Sequence, residues 1–254
     1  MLRDWRQTMA RPFEPFINYL KLKKRKPAYV ALVNWVLCEL YEKTLACNIK
    51  GWSELYKLEI YCITEQQLIQ GKEISGMLRE YLLKEQKNRC CYCKRFLFNI
   101  AYARPVDHIL PVKHYPNFSL ILDNLVVACY DCNQAKHDYN WWPALGRCNT
   151  YPTESQLTGA FHGKYHAYDG HIKWFRYSTN NMTFCAYAGL TTEGRKLCVD
   201  LLHDVVKKEI LLIRDDGLKE ALEVINQHNA IDHPLPELEN FMQALHKKIL
   251  FSKC

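Results

Sequence analysis

Apolar positions recur at helical spacing through much of the first third of the chain. Ala28 to Ala46 carries the longest such pattern and predicts a helix. Trp52 to Tyr61 and Ser75 to Lys87 predict two more, each with a Ser- or Thr-type start or a preceding Gly. Ahead of them lies Lys21-Leu22-Lys23-Lys24-Arg25-Lys26-Pro27, where Pro ends one element and like charges repel. It reads as a solvated linker or as a phosphate-contacting strip. In the middle of the chain the period changes. Arg104 to His108 is short and β-like, Leu125 to Ala128 is apolar and β-branched, and the residues after Cys132 begin a helix. That order puts His108 at a strand end and Asn133 on the first turn of a helix. Beyond residue 140 periodicity fades, and Tyr165 to His171 reads as loop. Ile172 to Tyr177 and Met182 to Ala188 predict paired strands joined by Thr179-Asn180-Asn181. Thr192 to Arg214 is a long amphipathic pattern with Thr191 or Thr192 as cap and Glu193 in the first turn. Leu218 to His228 is a shorter helix, Pro234 and Pro236 break the chain, and Leu238 to Phe251 closes it. The fold class expected is α+β, mainly α. A helical region (1–88), a central cysteine and histidine segment (89–140) and an aromatic then helical region (141–254) divide it.

Composition changes this picture little. With 254 residues, 48% apolar and 24% charged, the chain can bury a core of ordinary size. A formal net charge of +7 is a mild bias toward a polyanionic partner. No stretch is long and apolar enough to span a membrane; Tyr29 to Cys38 comes nearest and meets Glu39 and Glu42. The N-terminus has no apolar run behind it, so a cytoplasmic location is expected. In a reducing compartment the twelve cysteines point to metal ligation or buried thiols rather than disulfides. Cys38, Cys47, Cys62, Cys185 and Cys198 sit in apolar or amphipathic surroundings and are expected to be buried thiols.

Four cysteines stand apart. Cys90/Cys93 and Cys129/Cys132 form two Cys-x-x-Cys pairs, a donor set suited to tetrahedral zinc. Cys91 competes with Cys90, but would leave one residue before Cys93. Between the pairs lie Asp107-His108-Ile109-Leu110-Pro111 and Asp123-Asn124-Leu125, and the second pair runs into Asn133-Gln134-Ala135-Lys136-His137. These residues can supply a base and hard-metal ligands inside a zinc clip.

The segment Cys90 to Lys136, roughly a fifth of the chain, resembles the zinc-bearing HNH endonucleases of the ββα-metal type. Val106 to Pro111 resembles the family's Asp-His-Ile-x-Pro element, Asn124 its middle Asn, and Cys129 to Lys136 its closing Cys-x-x-Cys-Asn-x-x-Lys. Eight residues separate Asn124 from Asn133, the family's usual interval. The resemblance implies hydrolysis of nucleic-acid phosphodiester bonds, DNA more than RNA. His108 would be the general base, since a neutral His can take a proton from water near pH 7. Asp107 and Asn133 would hold Mg²⁺ or Mn²⁺, with His137 a further candidate ligand or an exposed helical His. Asn124 would hold the loop that aims His108, and Lys136 would touch phosphate. A catalytically inactive zinc module that binds nucleic acid is the alternative from another class.

Outside that segment the signals are weaker. His162, His166 and His171 could form a second metal site or an aromatic surface, and Trp141, Trp142, Tyr165 and Trp174 could stack bases or fill a core. The helical leader, central segment, aromatic stretch and tail with Gly189 to Arg195 look similar to the HNH effectors of bacterial Septu-type defence, retron-associated forms included. That resemblance implies a partner ATPase. A stand-alone restriction-like or mobile-element nuclease is the rival.

Overall fold

The computed structural model describes residues 12–47, 49–62, 66–98, 104–146, 148–178, 183–210, 223–225, 227, 229 and 230. Among these described residues helices dominate, with three two-stranded antiparallel sheets. The α+β, mainly α expectation holds.

The N-terminal region opens with α1 (Glu14–Leu22) and the long α2 (Pro27–Cys47). Val33, Val36 and Leu37 of α2 are buried, as their helical spacing predicts. The basic strip is exposed throughout: Lys21 and Leu22 end α1, Lys23 to Lys26 form the turn between the helices, and Pro27 opens α2. The helix expected over 52–61 is shorter. It is α3 (Gly51–Lys57), and Glu59–Cys62 is instead a strand, β1, paired with β2 (Gln67–Gln70). Ile60 faces Ile69 across this hairpin. The partner strand is short and flanked by Gln, so it carries almost no strand signal by itself. Next comes α4 (Gly71–Glu85), which starts four residues earlier than its apolar pattern implies. Gly71 permits this: a Cβ there would collide with the Leu55 carbonyl, and its own N–H bonds the Leu58 carbonyl.

The central segment has the predicted order. Strand β3 (Val106–His108) pairs with β4 (Leu125–Val127) in the register Val106↔Val127, Asp107↔Val126, His108↔Leu125. Helix α5 (Tyr130–Lys136) follows at once. Gln86, just beyond α4, closes the free edge of β4 with its side chain. Its Oε1 accepts from the Val127 N–H at 2.7 Å and its Nε2 donates to the Val127 carbonyl at 2.8 Å.

In the third region, the loop expected over 165–171 contains one helical turn, α6 (Tyr168–His171). Strands β5 (Ile172–Ser178) and β6 (Thr183–Gly189) pair as predicted; their turn lies outside the described residues. The last long pattern is helical from Thr192 to Ile210: α7 (Thr192–Leu197), a π-type stretch over Cys198–Leu202, and α8 (His203–Ile210). Thr191 is the cap, its hydroxyl accepting from the Gly194 N–H. The expected continuation to Arg214 and the helix over 238–251 lie outside the described residues, as does most of the helix over 218–228.

One buried apolar cluster runs through all three regions, from Phe13 to Val206. Trp141 and Trp142 belong to it, so they are core residues rather than a stacking surface. Cys62, Cys185 and Cys198 are buried; Cys38 is half-buried, and the Cys47 side chain lies outside the described residues. No helix among the described residues is long and apolar enough to cross a membrane.

Candidate active site and cysteine metal centre

The first cysteine pair follows α4 in a tight knuckle closed by a bridge between Arg89 and Phe96. The second pair caps α5, where the Cys129 Sγ accepts from the Cys132 N–H at 3.4 Å. Together Cys90, Cys93, Cys129 and Cys132 place four buried sulfurs within 4.8 Å of one another. The Cys129 N–H also points at the Cys90 Sγ, at 3.3 Å. Backbone N–H groups aimed at sulfur stabilise thiolate, the form that binds metal. The donor set fits zinc. Cys91 is excluded from it: its N–H bonds the Val127 carbonyl, its Sγ packs against Gly163, and burial pushes its thiol up to about 12. The knuckle is clamped from outside by Tyr187, whose hydroxyl donates to the Cys93 carbonyl at 2.7 Å.

Consecutive strand residues face opposite ways, and β3 uses this. Asp107 turns toward α5. Its Oδ2 accepts from the Tyr92 hydroxyl at 2.6 Å, and the Lys136 ammonium lies 3.2 Å from the carboxylate. Lys136 also donates to the His108 carbonyl at 2.7 Å. The expected phosphate contact would have to come from a side chain already engaged in this way. The Lys136 side chain is 1% exposed, and its charge is spent on Asp107 and on the strand end. Tyr92 escaped sequence reasoning, because nothing about a Tyr inside a knuckle marks it as a carboxylate partner. Asn133 lies one turn before Lys136 on α5, half-buried, with no side-chain hydrogen bond among the described residues. The Asp107 carboxylate keeps lone pairs beyond these contacts, and the Lys136 ammonium beside it balances its charge. His137 is the residue after α5. It has a positive φ of 44°, and its side chain is 74% exposed beside Asp138.

His108 turns the other way, toward α3. Its ring meets Trp52 edge-on, with centroids 5.9 Å apart. Its Nε2 lies 3.0 Å from the Ser119 carbonyl. A carbonyl can only accept, so Nε2 carries the proton and Nδ1 keeps a free lone pair. Burial, partly offset by the Ser119 carbonyl and Asp107, lowers His108 to about 4. The ring is therefore neutral near pH 7, in the tautomer a general base needs.

Asn124 is fully buried. Its Oδ1 accepts from the Leu110 N–H at 2.7 Å, and its Nδ2 donates to the Leu110 and Phe118 carbonyls at 3.1 and 3.0 Å. The loop leaving His108 is thus stapled at both ends. A second tier stands behind it: Tyr151 donates to Asn124 Oδ1 at 3.2 Å and meets His162 Nε2 at 2.9 Å. His162 is therefore a buried structural residue. Among the described residues only the four cysteines cluster as metal donors, so the three histidines form no second metal site there.

Residues 90–139 match the family model of the HNH endonucleases. The chain is 29% identical over 82 residues to Protein ea31 of Escherichia phage lambda, covering 32% of this chain and 26% of that protein. It is 28% identical over 145 residues to Septu protein PtuB of Bacillus thuringiensis, covering 56% of this chain and 47% of that protein. The chain thus spans about a quarter and about half the length of these curated relatives. No solved structure matches it. With its ββα order, four-sulfur clip and stapled His108 loop, the segment 90–139 is an HNH endonuclease domain, in a chain similar to Septu protein PtuB.

Proposed function

We propose that the protein is a metal-dependent nuclease that hydrolyses phosphodiester bonds of DNA, the effector of an antiphage system that works beside an ATPase. The observation that carries the catalytic reading is His108, neutral, with Nε2–H held by Ser119 and Nδ1 open at a strand end. In this reading Nδ1 takes a proton from water as the water oxygen bonds to phosphorus, and the P–O bond to the leaving oxygen breaks. Asp107, which faces away from His108 on β3, and Asn133 on α5 would hold Mg²⁺ or Mn²⁺. A divalent cation bound there would supply charge neutralisation at the scissile phosphate. Asn124 and Tyr92 act as positioning residues, Asn124 for the loop after His108 and Tyr92 for the Asp107 carboxylate. Cys90, Cys93, Cys129 and Cys132 would hold a zinc ion that braces the frame.

The test is incubation of the purified protein with supercoiled plasmid DNA and with total RNA, with added Mg²⁺ or Mn²⁺, beside His108→Ala. Cleavage of DNA that falls about 10²–10⁴-fold in His108→Ala, with an unchanged melting curve, is expected. Cleavage by the variant at the wild-type rate rejects the base, and cleavage confined to RNA rejects the substrate. The defence role rests on the similarity to PtuB over 56% of the chain.

A further inference from the structure

A cleft of about 270 Å³ opens beside the catalytic strand, lined by Trp52, Tyr56, Arg79, Arg104 and Val106 among others. Its walls come from α3, α4 and the approach to β3, so most of it lies outside residues 90–139. Four observations give it a function. First, it is basic: two guanidinium groups line it and no carboxylate does. Neither arginine has an ion-pair partner among the described residues, and the Arg79 Nε is buried without a hydrogen bond. A buried donor without a partner is costly, and Arg79 lines the cleft without a counter-charge beside it. Second, it is aromatic. Tyr56 is 48% exposed, Trp52 is half-buried, and Lys72 stands over the Tyr56 ring at 5.6 Å. Third, it shares a face with the base. Val106 and His108 are two apart on β3 and so point to the same side, and Trp52 spans the gap by touching His108. Fourth, its volume falls just below the roughly 300–1,000 Å³ of pockets for free-standing small ligands, which suits one unit of a polymer.

Resting on the nuclease reading above, we propose that this cleft holds the DNA nucleotide next to the scissile phosphate. Arg79 and Arg104 take its phosphate and an aromatic face takes its base. Guanidinium forks match phosphate oxygens in pairs, and aromatic faces accept any base. The cleft thus anchors and aligns the strand without reading its sequence, and α3 and α4 become part of the substrate-binding surface.

The experiment measures binding of a labelled DNA oligonucleotide by the full chain, without added Mg²⁺ or Mn²⁺, across a salt series. Arg79→Gln, Arg104→Gln, the double variant and Tyr56→Ser are compared with Lys43→Gln, an exposed charge on α2. Each arginine variant is expected to lower the slope of log affinity against log salt by roughly 0.7–0.9, and the double variant by about twice that. Tyr56→Ser should weaken binding roughly 5- to 150-fold with little change of slope. In cleavage assays the arginine variants should raise KM far more than they lower kcat, whereas damage to the frame around His108 would lower kcat. Should Arg79→Gln lower the melting temperature, Arg104→Gln alone decides. Slopes equal to that of Lys43→Gln, in a protein that binds and cuts DNA, overturn the cleft and leave the nuclease reading intact. Slope changes seen with RNA alone overturn the DNA assignment. A wild-type protein that neither binds nor cuts either polymer overturns the nuclease reading itself.

Discussion

His162 shows how far single protons reach in this fold. Its Nδ1 accepts from the backbone N–H groups of Tyr165 and Lys164 at 3.3 and 3.4 Å, so its Nε2 carries the hydrogen and donates to Tyr151. Tyr151 can then donate to Asn124, which staples the His108 loop. The side chain is fully buried, and burial first, then His166 and Lys164, lower His162 to about 3. An unfolded His titrates near 6.5. Between these values the unfolded chain binds a proton that the folded chain does not, so stability rises with pH through this window and is unaffected by His162 above it. On acidification from about pH 6.5 toward 3, wild type should lose up to about 1.4 kcal/mol per unit more than His162→Gln. Denaturant melts of the two proteins between pH 7 and 5 measure the difference; parallel curves would remove His162 from the network. The direction of each hydrogen bond here was invisible in the sequence, where His162 was one of three irregular histidines.

At the scale of elements, the clip of four sulfurs joins the end of α4, the hairpin and α5. The hairpin strands are three residues each, too short for independent stability. Zinc in small domains supplies on the order of 10–16 kcal/mol, comparable to the net stability of a whole domain. Cys129→Ser is therefore expected to disrupt the segment, not merely slow it: zinc content by elemental analysis should fall together with protease resistance of residues around 90–139. Full resistance with zinc absent would mean the apolar core alone holds the hairpin. The Cys-x-x-Cys pairs and the strand-to-helix order were legible because metal spacing and period are local. The fate of Lys136 was not. Its place one turn after Asn133 put it on the expected face, but only packing against Asp107 and Tyr92 decided that its charge is internal.

For the molecule as a whole, the C-terminal helices are bound to the nuclease segment. Asp131 of α5 accepts from Lys208 of α8 at 3.3 Å and from Arg95 at 2.9 Å. Leu197, Leu201 and Val205 are buried, as their spacing implied, so this face packs inward. Docking of the proposed ATPase would then use faces such as those bearing Trp35, 53% exposed on α2, or Val199, 46% exposed. Co-expression with the product of the neighbouring gene should yield a complex that survives gel filtration. Elution of the protein alone, with full cleavage activity, would favour the stand-alone nuclease.

What the sequence by itself determined was whatever depends on near neighbours along the chain. That covers the four zinc-type cysteines, the Asp107-His108 strand end, Asn124 and Asn133 at their interval, and the long helices α2 and α4. Periodicity and ligand spacing are properties of a few consecutive residues, so they survive without coordinates. Tertiary structure alone decided which way those residues face. It set Asp107 and His108 on opposite sides of β3, turned Lys136 inward, used Gln86 to close a sheet edge, and assembled the Trp52, Tyr56, Arg79 and Arg104 cleft from three separate stretches. Those outcomes depend on contacts between residues far apart in the chain, where neither period nor spacing carries information.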